Sequence, residues 1–399
     1  MNGRKVCMIV LNTLEPDPRV WKEGASLVKA GHRVTILAVK GLGQEAMKTW
    51  EGILIWRMFN RYPYSSKVWQ MIPIWLKFVS YVFSKKRERF EVCHCHDAES
   101  LPMGYLLAKR DNALLIYDIH ELSFSYIPLA YIDSLRKRSA LFLYRLVVRG
   151  FEKIFIKKAN AVITVNHSLS TIIQKLYKLK ERPYVIYNAR KVVNVSKNDY
   201  IRSKTGIPKT HKILFYQGMI RPDRELDRVI KMLPLLDDEI VFVIAGLANP
   251  KAYLDQLHSL AHHLGVDHRF YYVGFLNYDH ELLEATASAD IGVFMLPGNN
   301  LTYKYSLANK IFDYIMGNLP MITSDLPEMK HIIEKYHIGF TVKIEDEFSF
   351  VDIVRRLTSD EELYNLIVRN IEKAKKELCW ENEEKELLRA YRQLLLHER

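Results

Sequence analysis

The sequence predicts an α/β fold of two Rossmann-like domains whose parallel sheets face each other across a cleft. Short apolar runs, typical of buried parallel strands, alternate with helical stretches along the chain of 399 residues. The alternation stops once, in the polar segment 190–211, and then restarts. The chain is also longer than one core ordinarily holds, since a domain spans roughly 100–200 residues.

The predicted strands lie on both sides of the polar segment. Before it they cover 5–12, 33–39, 53–58, 91–97, 113–120, 161–166 and 183–189, and after it 212–218, 240–246, 269–275, 290–296 and 319–324. We therefore expect an N-terminal domain over residues 1–190 and a C-terminal domain that begins at residue 191. Because ligands bind such sheets at the carboxyl ends of the strands, the residues that follow each strand are the candidates for chemistry.

The net charge of +12 belongs to the first half of the chain. Residues 1–190 hold 31 Lys and Arg against 15 Asp and Glu, whereas residues 191–399 hold 27 against 31. This asymmetry indicates a polyanionic partner, either nucleic acid or an anionic membrane surface. The sequence has no recognised nucleic-acid-binding motif, so we expect a membrane surface and no nucleic acid.

The four cysteines, Cys7, Cys93, Cys95 and Cys379, do not form a disulfide framework. Reduced thiols are typical of the cytoplasm, and residues 1–12 begin directly as a strand, so we expect a cytoplasmic protein without a secretory signal. The cysteines and histidines within 93–96 lack the spacing of a structural zinc site, and we expect no metal there.

Residues 68–83 form an apolar, aromatic segment with a single charged residue, Lys77. The segment is shorter than the stretch of about 20 apolar residues that spans a bilayer, and it contains Pro73. Two interpretations remain open. The segment is either an interfacial helix with Trp69 and Trp75 at the headgroup level, or a core helix that packs on the sheet.

The segment 135–158 holds eight basic residues and a single acid, Glu152. Four of the basic residues recur at every fourth position and form a cationic stripe on a helix, namely Arg145, Arg149, Lys153 and Lys157. Another face of the same helix is apolar, with Leu141, Tyr144, Val148, Phe151 and Phe155. A solvated helix face normally mixes both signs of charge, so the stripe favours an anionic lipid surface over an ordinary solvated face.

Two strand ends in the first half carry a histidine beside an acid. His96 and Asp97 end one predicted strand, and His120 and Glu121 end the next strand along the chain. A single histidine at a strand end often caps a neighbouring carbonyl. Two such pairs on neighbouring strands favour a functional site in the cleft.

The second half offers candidate anion-binding groups. Gly218 ends a strand and Arg224 starts a predicted helix, an arrangement suited to a diphosphate. Within "SLANKIFDYIMGNLP" (306–320), Ser306 is the expected N-cap of a helix. The amides of residues 307–309 would then be free, Lys310 would supply a positive charge, and Asp313 could accept hydrogen bonds from a diol.

Taken in order, these segments resemble retaining glycosyltransferases of the GT-B fold, in particular glycosyltransferase family 4. The resemblance covers nearly the whole chain and includes "DPRVWKEGASLVKAGHRVTILA" (17–38), "HCHDAESLPMG" (94–104), "IYDIHEL" (116–122), "ANAVITVNHSL" (159–169), "VIYNAR" (185–190), "FYQGMIRPDRELD" (215–227), "YVGFLNYDHELLEATASADIGVF" (272–294) and "YSLANKIFDYIMGNLPMITSDLPEM" (305–329). The last segment, 378–399, resembles the family's C-terminal helix, which crosses back onto the first domain and leaves 191–377 as the donor domain.

The resemblance implies a nucleotide-diphosphate sugar as donor and no cofactor. It implies that Arg224 and Lys310 neutralise the diphosphate, aided by amides near Leu307, Ala308 and Asn309. Asp313 would bind the ribose, and the backbone around Phe275 and the strand end at Gly218 would complete the donor site. The first domain would hold a glycan or lipid-linked acceptor, with His96, Asp97, His120 and Glu121 at the reaction centre and Asn188 at the hinge. No catalytic metal is implied, because the chain lacks the Asp-x-Asp pair of metal-dependent transferases at a strand end.

The chain departs from the family pattern at a few positions. The family often has two glutamates eight residues apart, where this chain has Tyr305 and Asp313. Asn318 stands at a position that is commonly Gly, and Met219 at one that is often Arg, while Ala308 replaces the proline of a related subset. Two other functions therefore stay open, a nucleotide-sugar epimerase or hydrolase that needs no acceptor, and a non-catalytic scaffold of the same fold.

Overall fold

The computed structural model describes residues 3–15, 17–60, 67–85, 87–122, 135–278 and 280–396. The chain divides into two compact units. Unit 1 comprises Met1–Asn188, Asn300–Thr302 and Glu383–Arg399, and unit 2 comprises Ala189–Asn299 and Tyr303–Asn382. Within unit 1, the side-chain oxygen of its last residue before the break, Asn188, accepts a 2.9 Å hydrogen bond from Lys22. The expected division into 1–190, 191–377 and 378–399 stays a prediction.

The described residues of unit 1 form one sheet of eight strands. The strands are β1 Lys5–Ile9, β2 Arg33–Lys40, β3 Met47–Trp50, β4 Ile53–Asn60, β5 Val92–His96, β6 Leu114–Ile119, β7 Ala161–Thr164 and β8 Tyr184–Val185. Their order is β3-β4-β2-β1-β5-β6-β7-β8, and all neighbours are parallel except β3 and β4. Strands β2, β3 and β4 lie on one side of β1, and the strands from β5 onward lie on its other side. The carboxyl ends of β1 and β5 therefore form the topological switch point.

Five helices accompany these strands in the described part of residues 1–188. They are α1 Pro18–Lys29, α2 Lys67–Phe83, α3 Leu101–Asp111, α4 Leu135–Phe155 and α5 His167–Tyr177. Local sequence explains where some of them begin. Asp17 accepts a hydrogen bond from the amide of Val20 and Pro18 occupies the first turn of α1, which are both favoured arrangements at a helix start.

Helix α2 packs one face on the sheet. Phe78 is fully buried and its ring lies 6.3 Å from that of Phe59 on β4. Trp75 is half-buried and meets Phe78 edge-on. This face of α2 therefore fits the interpretation of 68–83 as a core helix. The side chain of Trp69 lies outside the described residues.

Helix α4 differs from the expected arrangement. Lys157 lies beyond its end, in the 3-10 turn Ile156–Lys158, so the cationic stripe is not carried by one continuous helix. Phe151, expected on the apolar face, is 47% exposed, because Glu152 takes the inward position instead. Glu152 is buried and accepts hydrogen bonds from the hydroxyls of Tyr117 and Tyr177, both at 2.6 Å.

The described residues of unit 2 form one parallel sheet of six strands. The strands are β9 Lys212–Gln217, β10 Ile240–Ala245, β11 Phe270–Tyr272, β12 Ile291–Phe294, β13 Met321–Ser324 and β14 Gly339–Val342. Their order is β11-β10-β9-β12-β13-β14. The switch point of this sheet lies between β9 and β12.

The remaining helices follow in chain order. They are α6 Tyr200–Thr205, α7 Leu226–Met232, α8 Lys251–His263, α9 Glu281–Ser288, α10 Leu301–Lys304, α11 Asn309–Met316, α12 Pro327–Tyr336, α13 Glu347–Ser359, α14 Glu361–Glu377 and α15 Trp380–Leu396. Every strand expected from the sequence is present, and β3 and β14 extend the two sheets. Within the described ranges, no helix has both the length and the apolar composition needed to cross a bilayer.

Candidate active site

Glycines line the carboxyl edge of the unit 2 sheet. Gly218 follows β9, Gly246 follows β10 and Gly274 follows β11, with φ of +123°, +135° and +82°. A Cβ on Gly246 would lie 1.9 Å from the carbonyl oxygen of Gly218. Main chain rather than side chains therefore forms this edge, and a ligand can approach its amide and carbonyl groups closely.

Lys310 lies directly against this edge. A Cβ on Gly218 would come within 2.6 Å of the Lys310 Nζ atom. The same atom lies 4.8 Å from the ring centre of Phe294 and 5.5 Å from that of Tyr216. Of the residues that the structure describes, no carboxylate oxygen lies within 4.0 Å of Lys310 Nζ. The ammonium group is therefore held by apolar and aromatic surroundings at the switch point.

The electrostatics of Lys310 follow from that position. Burial and the nearby Arg224 guanidinium lower its pKa and Asp313 raises it, and the net result is a fall from 10.5 to about 7. Two cationic groups are thus brought together where burial disfavours charge. An anion bound here would reduce the repulsion between Lys310 and Arg224 and would offset the cost of burying their charge.

Arg224 reaches the site from a 3-10 turn rather than from the start of a helix. The turn is Pro222–Arg224, and Glu225, with φ of +54°, separates it from α7. The guanidinium of Arg224 lies 5.4 Å from the ring centre of Tyr303. The hydroxyl of Tyr303 in turn donates to the buried carboxylate of Asp223. The aromatic contact orients a positive charge without neutralising it.

Helix α11 begins later than the sequence suggested. Its N-cap is Ala308, with extended backbone, so the expected N-cap Ser306 is wrong. Asn309 and Lys310 occupy the first turn, where amide groups precede the first helical hydrogen bonds. Leu307 is buried, at 8% exposure, and its side chain belongs to the core.

Asp313 is buried, and protein donors contact both of its carboxylate oxygens. Arg190 Nη1 lies 2.8 Å from Oδ1, and Gln217 Nε2 lies 2.7 Å from Oδ2. Each oxygen retains a second lone pair, so binding of a ribose by Asp313 stays a prediction. Sequence reasoning missed Arg190 and Gln217. The signal available for them was an acid on the inner side of an amphipathic helix, which requires a buried partner.

Phe275 follows Gly274 at the end of β11 and is 62% exposed. Its backbone therefore lies at the same glycine-lined edge as Gly218, as a base-contacting position would require. The structure thus brings together Gly218, Arg224 and Lys310, with Asp313 behind them in the protein interior.

At the switch point of unit 1, the structure brings together His96, Asp97 and His120. His96 Nδ1 lies 3.3 Å from His120 Nε2, and His120 Nδ1 lies 3.5 Å from an oxygen of Asp97. Asp97 adopts a left-handed backbone, φ +62°, which turns the chain sharply at the end of β5. Glu121 follows His120 and is half-buried.

Asp118, which the sequence analysis did not select, anchors this group. Its Oδ2 lies 3.1 Å from His120 Nε2, and its two oxygens accept hydrogen bonds from Arg19 Nε and Nη2 at 2.8 and 2.9 Å. Burial by itself would raise the pKa of Asp118, but Arg19 and His120 outweigh it and hold that pKa well below its usual range. Burial lowers the pKa of His120, whereas Asp97 and Asp118 raise it, and the balance lies at about 10.

Two family models match the chain, one in each half. The model described as "Glycosyltransferase Family 4" matches residues 20–191, and the model described as "Glycosyl transferases group 1" matches residues 197–374. The chain is a family 4 glycosyltransferase. The family is a retaining one, and the predicted family, fold and enzyme class are confirmed.

Known proteins resemble this family 4 glycosyltransferase in sequence or in fold. An uncharacterised glycosyltransferase of Methanocaldococcus jannaschii is 23% identical over 315 residues, which cover 76% of each chain. The structure of sucrose-phosphate synthase from Thermosynechococcus elongatus has a TM-score of 0.77, at 16% identity, and covers 99% of this chain and 100% of its own. The Anabaena protein HepE in complex with UDP-glucose has a TM-score of 0.71, at 14% identity, and covers 98% and 100%. The enzyme transfers a sugar from a nucleotide-sugar donor.

One departure from the family pattern has a structural explanation. Asn318, at a position that is commonly Gly, has φ of +54°, and Asn tolerates this left-handed conformation better than other side chains. Met219, beside Gly218, is 39% exposed and carries no charge. The positive charge at this edge of the sheet therefore comes from Arg224 and Lys310.

Proposed function

We propose that this glycosyltransferase moves a sugar from a nucleotide-diphosphate sugar to a lipid-linked glycan at the cytoplasmic face of the cell membrane, with retention of the anomeric configuration. The observation that carries the donor half of the proposal is the half-buried Lys310 ammonium, which lies against Gly218 at the switch point of unit 2. An anionic ligand fits this position because it offers backbone amides and two cations.

The donor step needs stabilisation of the departing diphosphate. We assign this to Lys310 and Arg224, aided by the first amides of α11, with no catalytic metal. The backbone near Phe275 would meet the base, and Asp313 would bind the ribose while Arg190 holds its carboxylate in place. Positive charge that is already oriented before substrate arrives lowers the barrier most when charge develops on the leaving group.

The acceptor would approach the group at the carboxyl edge of the unit 1 sheet. In this proposal Asp97 and His120 bind and orient the acceptor hydroxyl, with His96 and Glu121 beside them. The Asp118–Arg19 ion pair holds the His120 ring in place. Retention would follow the family's front-face course, in which the leaving phosphate takes the proton of the acceptor hydroxyl.

The membrane half of the proposal rests on helix α4. Its solvent-exposed side chains include apolar residues at roughly half exposure, namely Phe142, Leu143, Leu146, Val147, Phe151 and Ile154. The basic residues Arg149, Lys153 and Lys157 are exposed among them, and Arg145 is half-buried. A helix that exposes apolar side chains between cations suits the interface of an anionic bilayer. Trp75 of α2 is a further candidate contact, and so is Trp69 by its position in the sequence.

The donor assignment is tested by incubating the purified chain with UDP-, GDP-, ADP- and TDP-linked sugars, with and without lipid extracts that contain polyprenyl-linked glycans. We expect nucleotide release with one donor, and a lipid-extractable product that requires the acceptor. Release that is equally fast without any acceptor would favour the epimerase or hydrolase. No turnover and no thermal stabilisation with any nucleotide would favour the scaffold.

The membrane assignment is tested by sedimentation with vesicles of neutral lipid and of neutral lipid mixed with an anionic lipid. The stripe variant replaces four residues with Gln, namely Arg145, Arg149, Lys153 and Lys157. Each charge at an anionic surface contributes about 1 kcal/mol, so we expect the stripe variant to lose at least tenfold in vesicle affinity.

A control variant carries the same change in net charge on unit 2. It replaces four exposed lysines with Gln, namely Lys251, Lys335, Lys343 and Lys373. We expect this variant to bind anionic vesicles nearly as the unmodified chain does. Equal losses in both variants, or no loss in either, would contradict a specific role for α4.

A further inference from the structure

A group of polar side chains lies inside unit 1, behind Asp97 and His120, and it shares His96 and Asp118 with the site described above. It consists of Glu23 on α1, His94 and His96 on β5, and Asp118 on β6, each at most 1% exposed. One ligand atom from each residue can be chosen so that all four lie within 4.8 Å of one another. These four residues, called here the buried quartet, come from three different elements and converge on one point.

Several atoms of the buried quartet have no hydrogen-bond partner among the described residues. They are both carboxylate oxygens of Glu23, of which Oε1 is still ion-paired with Arg19, and the Nε2 atoms of His94 and His96. His94 Nε2 lies 3.7 Å from Glu23 Oε2, too far for a hydrogen bond. Buried polar atoms are nearly always satisfied, so a cluster of such atoms that face each other indicates an ion or a water between them.

The opposite ring nitrogens of both histidines are held in place. His94 Nδ1 lies 2.9 Å from the hydroxyl of Tyr391, in the part of α15 that belongs to unit 1, and His96 Nδ1 lies 3.3 Å from His120 Nε2. The two imidazole rings stack with centroids 4.5 Å apart. Histidines that bind a metal through one nitrogen typically have the other nitrogen hydrogen-bonded in this way, which fixes the ring orientation.

We propose that the buried quartet binds one divalent transition-metal ion of the zinc class. Two imidazole nitrogens and carboxylate oxygens are a donor set that zinc accepts, with bonds of about 2.0–2.2 Å. Tetrahedral bonds of that length bring donor atoms to about 3.4 Å from each other, so the quartet must contract by roughly 1 Å when it binds the ion.

The charge around the buried quartet is compatible with a cation. Arg19 binds Asp118 through two hydrogen bonds, and its Nε lies 3.1 Å from Glu23 Oε1. One guanidinium thus faces two carboxylates. The nearest approach of His94 to Glu23 is at Oε2, whereas Arg19 approaches Oε1, so the two groups face different oxygens of this carboxylate.

The role of this ion would be structural. It would join α1, β5 and β6 behind the strand ends that carry Asp97 and His120, and it is separate from the donor chemistry, for which we propose no metal. The cysteines of the same strand take no part. Cys95 lies against α3, where a Cβ on Gly104 would come within 1.9 Å of its sulfur, whereas strand alternation directs His94 and His96 to the other face.

The test is the metal content of the tag-free, full-length chain after dialysis against zinc and then against metal-free buffer, measured by mass spectrometry. We expect close to one equivalent of zinc in the unmodified chain. We expect less than about 0.2 equivalent in the His94→Gln and Glu23→Gln variants. The His263→Gln variant, which removes an exposed histidine of α8, serves as the matched control and should keep the full equivalent.

A second measurement covers the case in which these variants fail to fold. The unmodified chain is stripped with a chelator, loaded with Co²⁺ and examined by absorption spectroscopy and thermal melting. Ligand-field bands of tetrahedral intensity and a rise of several degrees in melting temperature are expected. Less than 0.1 equivalent of zinc, or cobalt loading without bands and without a melting shift, would overturn the proposal.

Discussion

Replacement of Lys310 by Met should stabilise the free protein and weaken nucleotide binding at the same time. Lys310 has a folded pKa of about 7 against an ordinary 10.5, because burial and Arg224 disfavour its charged form. The free-energy cost of the lowered pKa of Lys310 has its full size below pH 7. This cost decreases as the pH rises and disappears above pH 10.5. The full difference corresponds to roughly 4–5 kcal/mol. Partial solvent access reduces the expected gain in the free energy of unfolding to about 1–3 kcal/mol.

The gain should appear in urea unfolding at pH 7 and should shrink toward pH 10, where the unmodified lysine is neutral in both states. Lys304→Met is the matched control, since Lys304 is an exposed lysine of the same segment whose nearest ring is that of Tyr305, at 5.6 Å. We expect its stability to change by less than about 0.5 kcal/mol.

The same group predicts how nucleotide-sugar binding depends on pH. An esterified diphosphate binds the protonated lysine, and only about a tenth of Lys310 is protonated at pH 8 against nine-tenths at pH 6 if its pKa is about 7. Affinity measured by calorimetry should therefore fall about tenfold between these values in the unmodified chain, and should be weak and nearly independent of pH in Lys310→Met. If the Met variant is less stable at pH 7 and binds the donor normally, Lys310 is not the diphosphate cation.

Three further substitutions test the surroundings of the site. Asp313→Asn leaves Arg190 buried without its carboxylate, so urea unfolding should show a loss of about 3 kcal/mol, and an unchanged stability would mean that the ion pair of 2.8 Å is not formed. Gly218→Ala places a methyl group 2.6 Å from Lys310 Nζ and should lower nucleotide affinity at least tenfold. The control Gly206→Ala, also at positive φ but with open space around it, should leave nucleotide affinity unchanged. Equal effects of the two substitutions on binding would contradict the close approach of Lys310 to Gly218. Asn318→Gly should change stability by less than about 1 kcal/mol, while Asn318→Val should lose more than 1 kcal/mol because φ is +54°, and equal melting temperatures would refute the backbone explanation.

The strands and their order of appearance could be predicted because they depend on local pattern. Continuous apolar runs that alternate with amphipathic stretches have few alternatives to a parallel α/β sheet, and the predicted strand ends located His96, Asp97, His120 and Gly218 correctly at carboxyl edges. The start of α11 was missed by two residues, since Ser306 is a good N-cap by type while the backbone of Ala308 is what ends the loop.

Pairings between distant residues could not be predicted in the same way. Asp313 appeared as a free acceptor until Arg190 and Gln217 were found on its oxygens, and Asp118 is paired with Arg19, 99 positions away. No local pattern in a single sequence specifies which of many arginines meets a given buried acid.

The sequence alone determined the α/β class and the family 4 glycosyltransferase motifs, and it selected candidate site residues at strand ends, because periodicity and motif order are local properties. The tertiary structure alone decided the surroundings of those residues: that the half-buried Lys310 ammonium lies against Gly218, that Asp313 is ion-paired, that Glu23, His94, His96 and Asp118 converge on one point, and that α4 exposes apolar side chains. Burial and charge pairing set the pKa values and decide which polar atoms lack a hydrogen-bond partner. Burial and charge pairing arise only when segments far apart in the chain are packed together.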